Sequence, residues 1–324
     1  MRLVIDVCGG EAVPSEPIAA ARAFLKQHKD VVIVLVGDEK IIKSYLNSND
    51  RFEIVHAKDV VHSNDSVFSF LRNHETSLYK SVELVATGKA DGVLSNSTTA
   101  AFTVVATSLL KLIPGINKPA FMSYIPTTNL KGMLLLDEGA NVECTADDLV
   151  QFAKMANIYA KVISKIPSPS IMIANIGSED TKGLPYHIEA NKILKADKSL
   201  NYTGFIEGNH IIRGDANIVV ADGYTGNIIL KTLEGTLMAM KDLLKVNFKK
   251  PINIPGYLLS KRVINTITTT FDYKNYAAAF VLGLSKVACK THGNAKEKEF
   301  SSSLRMLREA VINDLPSLIK NNIK

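Results

Sequence analysis

Ile218-Val219-Val220-Ala221-Asp222-Gly223-Tyr224-Thr225-Gly226-Asn227 is a short apolar run that stops at a loop of glycines and small polar residues. The same device recurs along the chain. Leu3–Val7 precedes Cys8-Gly9-Gly10, and Gly92–Leu94 precedes Ser95-Asn96-Ser97-Thr98-Thr99. Met133–Leu136 precedes Asp137-Glu138-Gly139-Ala140-Asn141, and Ile171–Ala174 precedes Asn175-Ile176-Gly177. Most of these loops lead into apolar residues at helical spacing, so the pattern reads strand, loop, helix, repeated. Parallel strands joined by right-handed crossovers place such loops on one edge of a sheet, where open α/β folds bind their ligands. Helix N-termini there offer free N–H groups to anions, and glycine lets a phosphate come close. The expectation is an α/β fold, a mostly parallel Rossmann-like sheet with helices on both faces, that takes an anionic, phosphate-bearing substrate.

Composition narrows the class. At 324 residues and 46% apolar, the chain can bury a large core. We expect one α/β domain over residues 1–324. No apolar run approaches the roughly 18 residues that span a bilayer. Met1-Arg2-Leu3 enters a strand directly, without the architecture of a signal peptide, so a cytoplasmic location is expected. Cys8, Cys144 and Cys289 are widely spaced and read as reduced thiols, neither a disulfide nor a zinc set.

The net charge of +6 is unevenly placed: residues 241–324 hold 15 Lys/Arg against 6 Asp/Glu. A basic C-terminal quarter suits an acidic partner, either anionic lipid or an acidic carrier protein, or else is solvated surface. Aromatic residues are not interleaved with the cations as a base-stacking platform requires, so no nucleic-acid partner is expected. Within this region, residues 248–262 combine prolines, apolar residues and the cations Lys249, Lys250, Lys261 and Arg262. The mixture suits a segment touching a membrane surface or partner, or a hairpin packed on its own domain or a second subunit.

Elsewhere the pattern predicts helices over 16–28, 39–46 and 77–88, and strands at Val31–Val36 and Glu53–His56. Thr145 with Asp148 forms a capping-box signature before the apolar stripe of Leu149, Phe152, Ala153, Ala156 and Tyr159. Pro-Ser-Pro at 167–169 marks a boundary between units. There is no GxSxG elbow, Walker A sequence, HExxH, or GxGxxG after the first strand. One HxxxxD string, His210 to Asp215, reads as coincidence with the glycerol-phosphate acyltransferase pattern, because a turn before a strand accounts for it.

Taken in order, the loop motifs resemble the phosphate acyltransferase family of bacterial phospholipid synthesis (the PlsX family). The resemblance runs from Asp6-Val7-Cys8-Gly9-Gly10 through Leu35-Val36-Gly37-Asp38 and Gly88-Lys89-Ala90-Asp91-Gly92-Val93. It continues through Leu135-Leu136-Asp137-Glu138-Gly139-Ala140-Asn141, Asn175-Ile176-Gly177 with Lys182-Gly183, and Ile206-Glu207-Gly208. Its most specific block is Asp222-Gly223-Tyr224-Thr225-Gly226-Asn227, followed by Leu230-Lys231-Thr232. Phe271-Asp272-Tyr273, Leu282-Gly283 and His292-Gly293 close the series. The resemblance implies a fold similar to phosphotransacetylases and isocitrate-dehydrogenase-like proteins. It implies transfer of a fatty acyl group from acyl carrier protein to inorganic phosphate, without metal or organic cofactor. It also implies a homodimer peripherally attached to the inner face of the plasma membrane, whose product feeds a membrane-bound glycerol-3-phosphate acyltransferase.

The residues fit that chemistry on their own terms. A thioester is already activated, so the site needs a phosphate held in line and donors for a developing oxyanion, not a nucleophilic serine or cysteine. Lys182 can supply a point charge for phosphate, and the Asn227 side chain can donate to either group. His292 can polarise phosphate or the carbonyl, or make a structural hydrogen bond. Gly223 and Gly226 offer backbone amides. Asp137, Asn141 and Asp222 either orient these donors or cap the following helices. Asp6, Gly9 and Gly10 of the first loop, with Ser95 and Thr99 of the second, complete the expected substrate-binding set.

Three departures from the family pattern stand out. Ser95-Asn96-Ser97-Thr98-Thr99-Ala100-Ala101 replaces a glycine-rich loop, Glu11 replaces an aspartate, and Tyr276-Ala277-Ala278-Ala279-Phe280 replaces a Gly-Gly-Ala-Pro stretch. Two rival readings follow: a short-chain phosphotransacetylase using coenzyme A, and a non-catalytic membrane-associated dimeric scaffold.

Overall fold

The structure is a computed structural model that describes residues 1–62, 64–271 and 277–323. Asp272 and Tyr273 of the Phe271 string, and Tyr276, lie outside the described residues. In the first half, β1 (Arg2–Asp6), β2 (Val32–Gly37), β3 (Glu53–His56) and β4 (Gly92–Ser95) alternate with α1 (Ser15–Gln27), α2 (Glu39–Ser44), α3 (Val67–Arg72), α4 (Ser77–Ala86) and α5 (Thr99–Leu110). Next come β5 (Ala120–Ile125), β6 (Met133–Leu136), α6 (Ala146–Val162), β7 (Ser170–Ala174), α7 (Pro185–Ala196), β8 (Asn201–Ile206) and α8 (Gly208–Ile211). The last part holds β9 (Ile218–Val220), α9 (Gly223–Phe248), α10 (Ile254–Thr270), β10 (Ala279–Leu282), β11 (Val287–Lys290), α11 (Glu297–Ile312) and α12 (Leu315–Asn322). The elements expected in the first half fall within a few residues of their predicted positions. The capping box at Thr145 and Asp148 is formed in both directions.

One sheet of 11 strands, counted among the described residues, runs β3-β2-β1-β4-β11-β10-β5-β6-β9-β7-β8. β4 along its length, and β1 from Leu3 onward, are buried, as expected of parallel strands covered on both sides. Pairing is parallel except at the centre, where β10 runs antiparallel to β11 and to β5, and β5 antiparallel to β6. These reversals overturn the expectation that all the glycine-bearing loops share an edge. The β1, β4 and β11 ends point to one edge, and the β6, β7 and β9 ends to the opposite one.

Side chains alternate across the sheet and build a core on each face. Leu3, Ile33, Met122, Leu134 and Ile171 pack with Ile18 of α1, Phe152 of α6, Leu194 of α7 and Phe300 of α11. On the other face the core is split. Val4, Val93 and Phe121 lie under α4 and α5, whereas Ile125, Leu135 and Val219 lie under the base of α9. The gap between these two clusters is the cavity described next.

Candidate active site

A cavity of about 750 Å³ occupies that gap. Phe121, Ser123 and Ile125, alternate residues of β5, form its floor with Ala279 of β10. Thr99 enters at the N-terminus of α5, and Asn227 at the start of the second turn of α9. Those two helices start from opposite edges of the sheet, so the central reversals bring their N-termini to one chamber. The end of β11 contributes Lys290, Thr291 and His292, and the β6 loop contributes Glu138. Further out the wall mixes apolar and charged groups: Leu237 and Leu244 of α9 with Ile267 and Phe271 at the end of α10, beside Lys241, Asp242 and Lys245 of α9.

Of the residues expected from sequence, Thr99, Asn227 and His292 line this cavity. Asp6 and Ser95 lie behind it, where the Ser95 hydroxyl donates to Asp6 at 2.7 Å. Burial pushes the Asp6 carboxyl up, opposed by the hydroxyls of Ser77 and Ser95. Gly9 and Gly10 prove to be packing glycines. A Cβ on Gly9 would lie 2.2 Å from the Asp6 carboxylate, and one on Gly10 2.4 Å from the Asn96 carbonyl oxygen. The Asn96 amide reaches the Gly293 carbonyl at 3.2 Å, so the loops after β1, β4 and β11 are tied together beside His292.

The opposite edge is built the same way. Asp137 accepts backbone N–H groups from Phe121 (2.9 Å), Ala140 (3.0 Å) and Asn141 (2.8 Å), and the Asn141 amide also donates to it at 2.8 Å. Gly223 and Gly226 let α9 settle on that loop. Their Cβ atoms would stand 2.3 Å from the Asn141 carbonyl oxygen and 1.9 Å from that of Asp137. Asp222 caps α9 through the Thr225 N–H at 2.8 Å and accepts the Tyr186 hydroxyl at 3.1 Å. Glycines that sequence reading assigned to phosphate approach thus serve the approach of one loop to another.

Lys182 stands apart. It is exposed, pairs with Glu179 at 2.7 Å, and is not part of the cavity wall. Its loop is closed by the Asn175 amide, which donates to the Lys182 carbonyl at 2.9 Å. His210 and Asp215 of the HxxxxD string pair at 2.7 Å at an exposed turn, also outside the wall.

Sequence reading quoted Glu138 and Lys231 only as motif residues and gave no role to them or to the chamber's other charged residues, Glu234, Lys241, Asp242, Lys245 and Lys290. Burial pushes the Glu138 carboxyl up to about 8, against a hydrogen bond from the Ser123 hydroxyl. Burial, aided by the Lys231 charge, pushes the Lys290 ammonium down to about 8. The His292 imidazole is also lowered, chiefly by burial. Lys231 and Glu234 pair at 2.7 Å on α9. Glu138 lay in plain view beside Asp137, and two acids at a strand end were the available signal. Lys290 ends a four-residue strand and carries no motif.

A reversing, mostly parallel sheet with a cation-bearing, partly apolar chamber at its centre defines the class: the chain has the fold of the phosphotransacylases. It aligns with a phosphotransacetylase from Streptococcus pyogenes at TM-score 0.64 and 18% identity, covering 97% of this chain and 94% of the other. A branched-chain phosphotransacylase from Enterococcus faecalis aligns at TM-score 0.61 and 16% identity, covering 96% and 99%.

Sequence narrows the class. The model of the family described as "Fatty acid synthesis protein" matches residues 1–318. A phosphate acyltransferase of Malacoplasma penetrans is 46% identical over 321 residues, 99% of this chain and 97% of that one. That of Mycoplasmoides gallisepticum is 39% identical over 320 residues, 97% and 95% of the two chains. The chain belongs to the phosphate acyltransferase family, a family of acyltransferase enzymes.

Proposed function

We propose that this protein transfers a fatty acyl group from the thioester of acyl carrier protein to inorganic phosphate, releasing an acyl phosphate for phospholipid synthesis. The observation that carries this reading is the two-ended cavity. Its polar end gathers Thr99, Asn227 and His292, and its other end runs between α9 and α10, where Leu237, Leu244, Ile267 and Phe271 lie alongside Lys241, Asp242 and Lys245. A volume of about 750 Å³ exceeds what a two-carbon acyl group would use and lies within the range of pockets that enclose lipid- or drug-sized ligands. Asn227 and the first turn of α9 are the donors for the developing oxyanion, and His292 faces the phosphate. Lys182, outside the wall, is assigned to capturing the anionic parts of the donor.

The partners follow from the surface of α9 and α10. These helices form an arm whose tip exposes Ile252 (86%) and Leu259 (89%) next to Lys249, Lys250, Lys261 and Arg262. An apolar strip rimmed by cations suits a homodimer contact, an anionic membrane surface and an acidic carrier. Among the described residues no helix is long and apolar enough to cross a membrane, and attachment at the surface is the form proposed. Such attachment would deliver the product to a membrane-bound glycerol-3-phosphate acyltransferase.

The test is donor choice. With phosphate saturating, kcat/KM should be higher for a long-chain acyl carrier protein thioester than for acetyl coenzyme A. The reverse order would make the protein a short-chain phosphotransacetylase. Consumption of neither donor would favour the scaffold reading.

A further inference from the structure

We propose that Lys290 is the residue that holds inorganic phosphate, and that Glu138, as a neutral carboxylic acid, donates a hydrogen bond to the thioester carbonyl beside it. This rests on the acyl-transfer reading above.

Sheet register sets the two groups across from each other. Lys290 pairs with Ala279, and Phe280 with Met122, so one step further along the same register Ala279 stands opposite Ser123. The row Lys290, Ala279, Ser123 spans two strand intervals, about 10 Å, on the face that floors the cavity. Ala279 in the middle leaves open space. Glu138 reaches over the far end of the row, where the Ser123 hydroxyl donates to Oε2.

Two further observations mark this as a binding site. Glu138 Oε1 and the Thr291 hydroxyl are buried and have no hydrogen-bond partner among the described residues, and both residues line the cavity. Glu138 is 6% exposed and Thr291 2%. A bound substrate would satisfy both. Among the described residues Lys290 Nζ donates only to the neighbouring Thr291 carbonyl, at 3.1 Å, which leaves capacity for an anion. The other charged groups facing the pair are Lys231 and Glu234 of α9, His292, and Asp137 next to Glu138. Glu299 of α11 acts on His292.

In the step, a hydrogen phosphate oxygen on Lys290 forms a bond to the carbonyl carbon, and the carbonyl oxygen takes up negative charge against the Glu138 O–H. Collapse breaks the C–S bond. The proton that hydrogen phosphate carried ends on the departing sulfur, giving a thiol and the acyl phosphate dianion. Lys290 and Glu138 finish as they began. Both groups are lost to this role above about pH 8, Lys290 by losing its charge and Glu138 by gaining one.

The test combines phosphate titration calorimetry with kinetics on Lys290→Met, Lys290→Arg, Glu138→Ala and Glu138→Gln, each checked for native circular dichroism. Lys290→Met should weaken phosphate binding and raise its KM by about tenfold or more, while the thioester KM stays within about threefold. Lys290→Arg should keep phosphate binding and make the alkaline fall in kcat/KM for phosphate less steep, because only Glu138 then titrates near pH 8. Glu138→Ala should lower kcat by about a hundredfold, with Glu138→Gln restoring part of it and flattening its share of the alkaline fall. Equal phosphate affinity in wild type and a folded Lys290→Met would overturn the Lys290 assignment, whatever reaction is catalysed. An alkaline fall as steep in Lys290→Arg as in wild type would overturn it too. If Lys290→Met loses phosphate binding but the wild type makes no acyl phosphate, the site stands and the acyl-transfer reading fails. A Glu138→Ala variant with full kcat would remove Glu138.

Discussion

Asp222 and Glu138 are buried carboxyls at neighbouring strand ends, and their surroundings drive their proton affinities apart. Burial alone would raise both. At Asp222 this is outweighed by the His187 imidazole at 3.7 Å, the Thr225 N–H and hydroxyl, and the Tyr186 hydroxyl, which hold it down to about 2. Glu138 receives one hydroxyl and stays high, at about 8. A depressed carboxyl contributes stability that is complete above its unfolded value, near 3.8, and fades as pH falls toward 2. Asp222→Asn should therefore lower the unfolding free energy by about 2 kcal/mol at neutral pH, with the difference from wild type nearly gone at pH 2. Urea titrations at the two pH values check this. The chemistry separates Asn227 from Lys182. Asn227→Ala should cost about a hundredfold in kcat, as for one preorganised donor. Lys182→Ala, with its charge 52% exposed and tied to Glu179, should act mainly on the KM for the thioester. A kcat loss equal to that of Asn227→Ala would place Lys182 among the reacting groups.

At the scale of elements, α9 and α10 were the least legible part of the chain. With 26 residues, α9 is about 39 Å long, yet only Gly223 and Gly226 in its first turn are buried. No residue of α10 is buried. Periodicity marks helices that bury one face in their own domain, and this arm does not, so residues 248–262 read only as a mixture of prolines, apolar residues and cations. By contrast, α6 was plain, because its cap and its apolar stripe agree. We expect charge reversal at Lys249, Lys250, Lys261 and Arg262 to raise the KM for the carrier thioester with little change in kcat, since rim charges act mainly on encounter. The effect should shrink in about 1 M salt, where the Debye length is roughly 3 Å. Vesicle binding measured on the same variant separates carrier docking from lipid contact. A variant that keeps its KM but leaves the vesicles assigns the tip to the membrane.

On the scale of the whole molecule, the glycine-bearing loops revealed the class of fold and hid its central turn of direction. Each strand-loop-helix unit declares itself locally, but nothing inside a four-residue strand such as β6, β10 or β11 states which way its neighbour runs. The site was half legible for the same reason. Loop residues with motif signatures were found, whereas Lys290 and Glu138 acquire their chemistry from burial and from a register between segments more than a hundred residues apart. The exposed strip on α9 and α10 also bears on assembly, and light scattering at micromolar concentration should return the mass of a dimer. A monomer mass would leave that strip to the membrane and the carrier.

The central claim is that phosphate, not water, takes the acyl group. Hydroxylamine trapping addresses it most directly, with pure protein, a fatty acyl carrier protein thioester as the acyl donor, and phosphate varied from zero. Hydroxamate is predicted to appear in proportion to the thioester consumed and to depend on phosphate. Thioester loss at the same rate without phosphate, with free fatty acid as the product, would contradict the claim and make the protein a thioesterase.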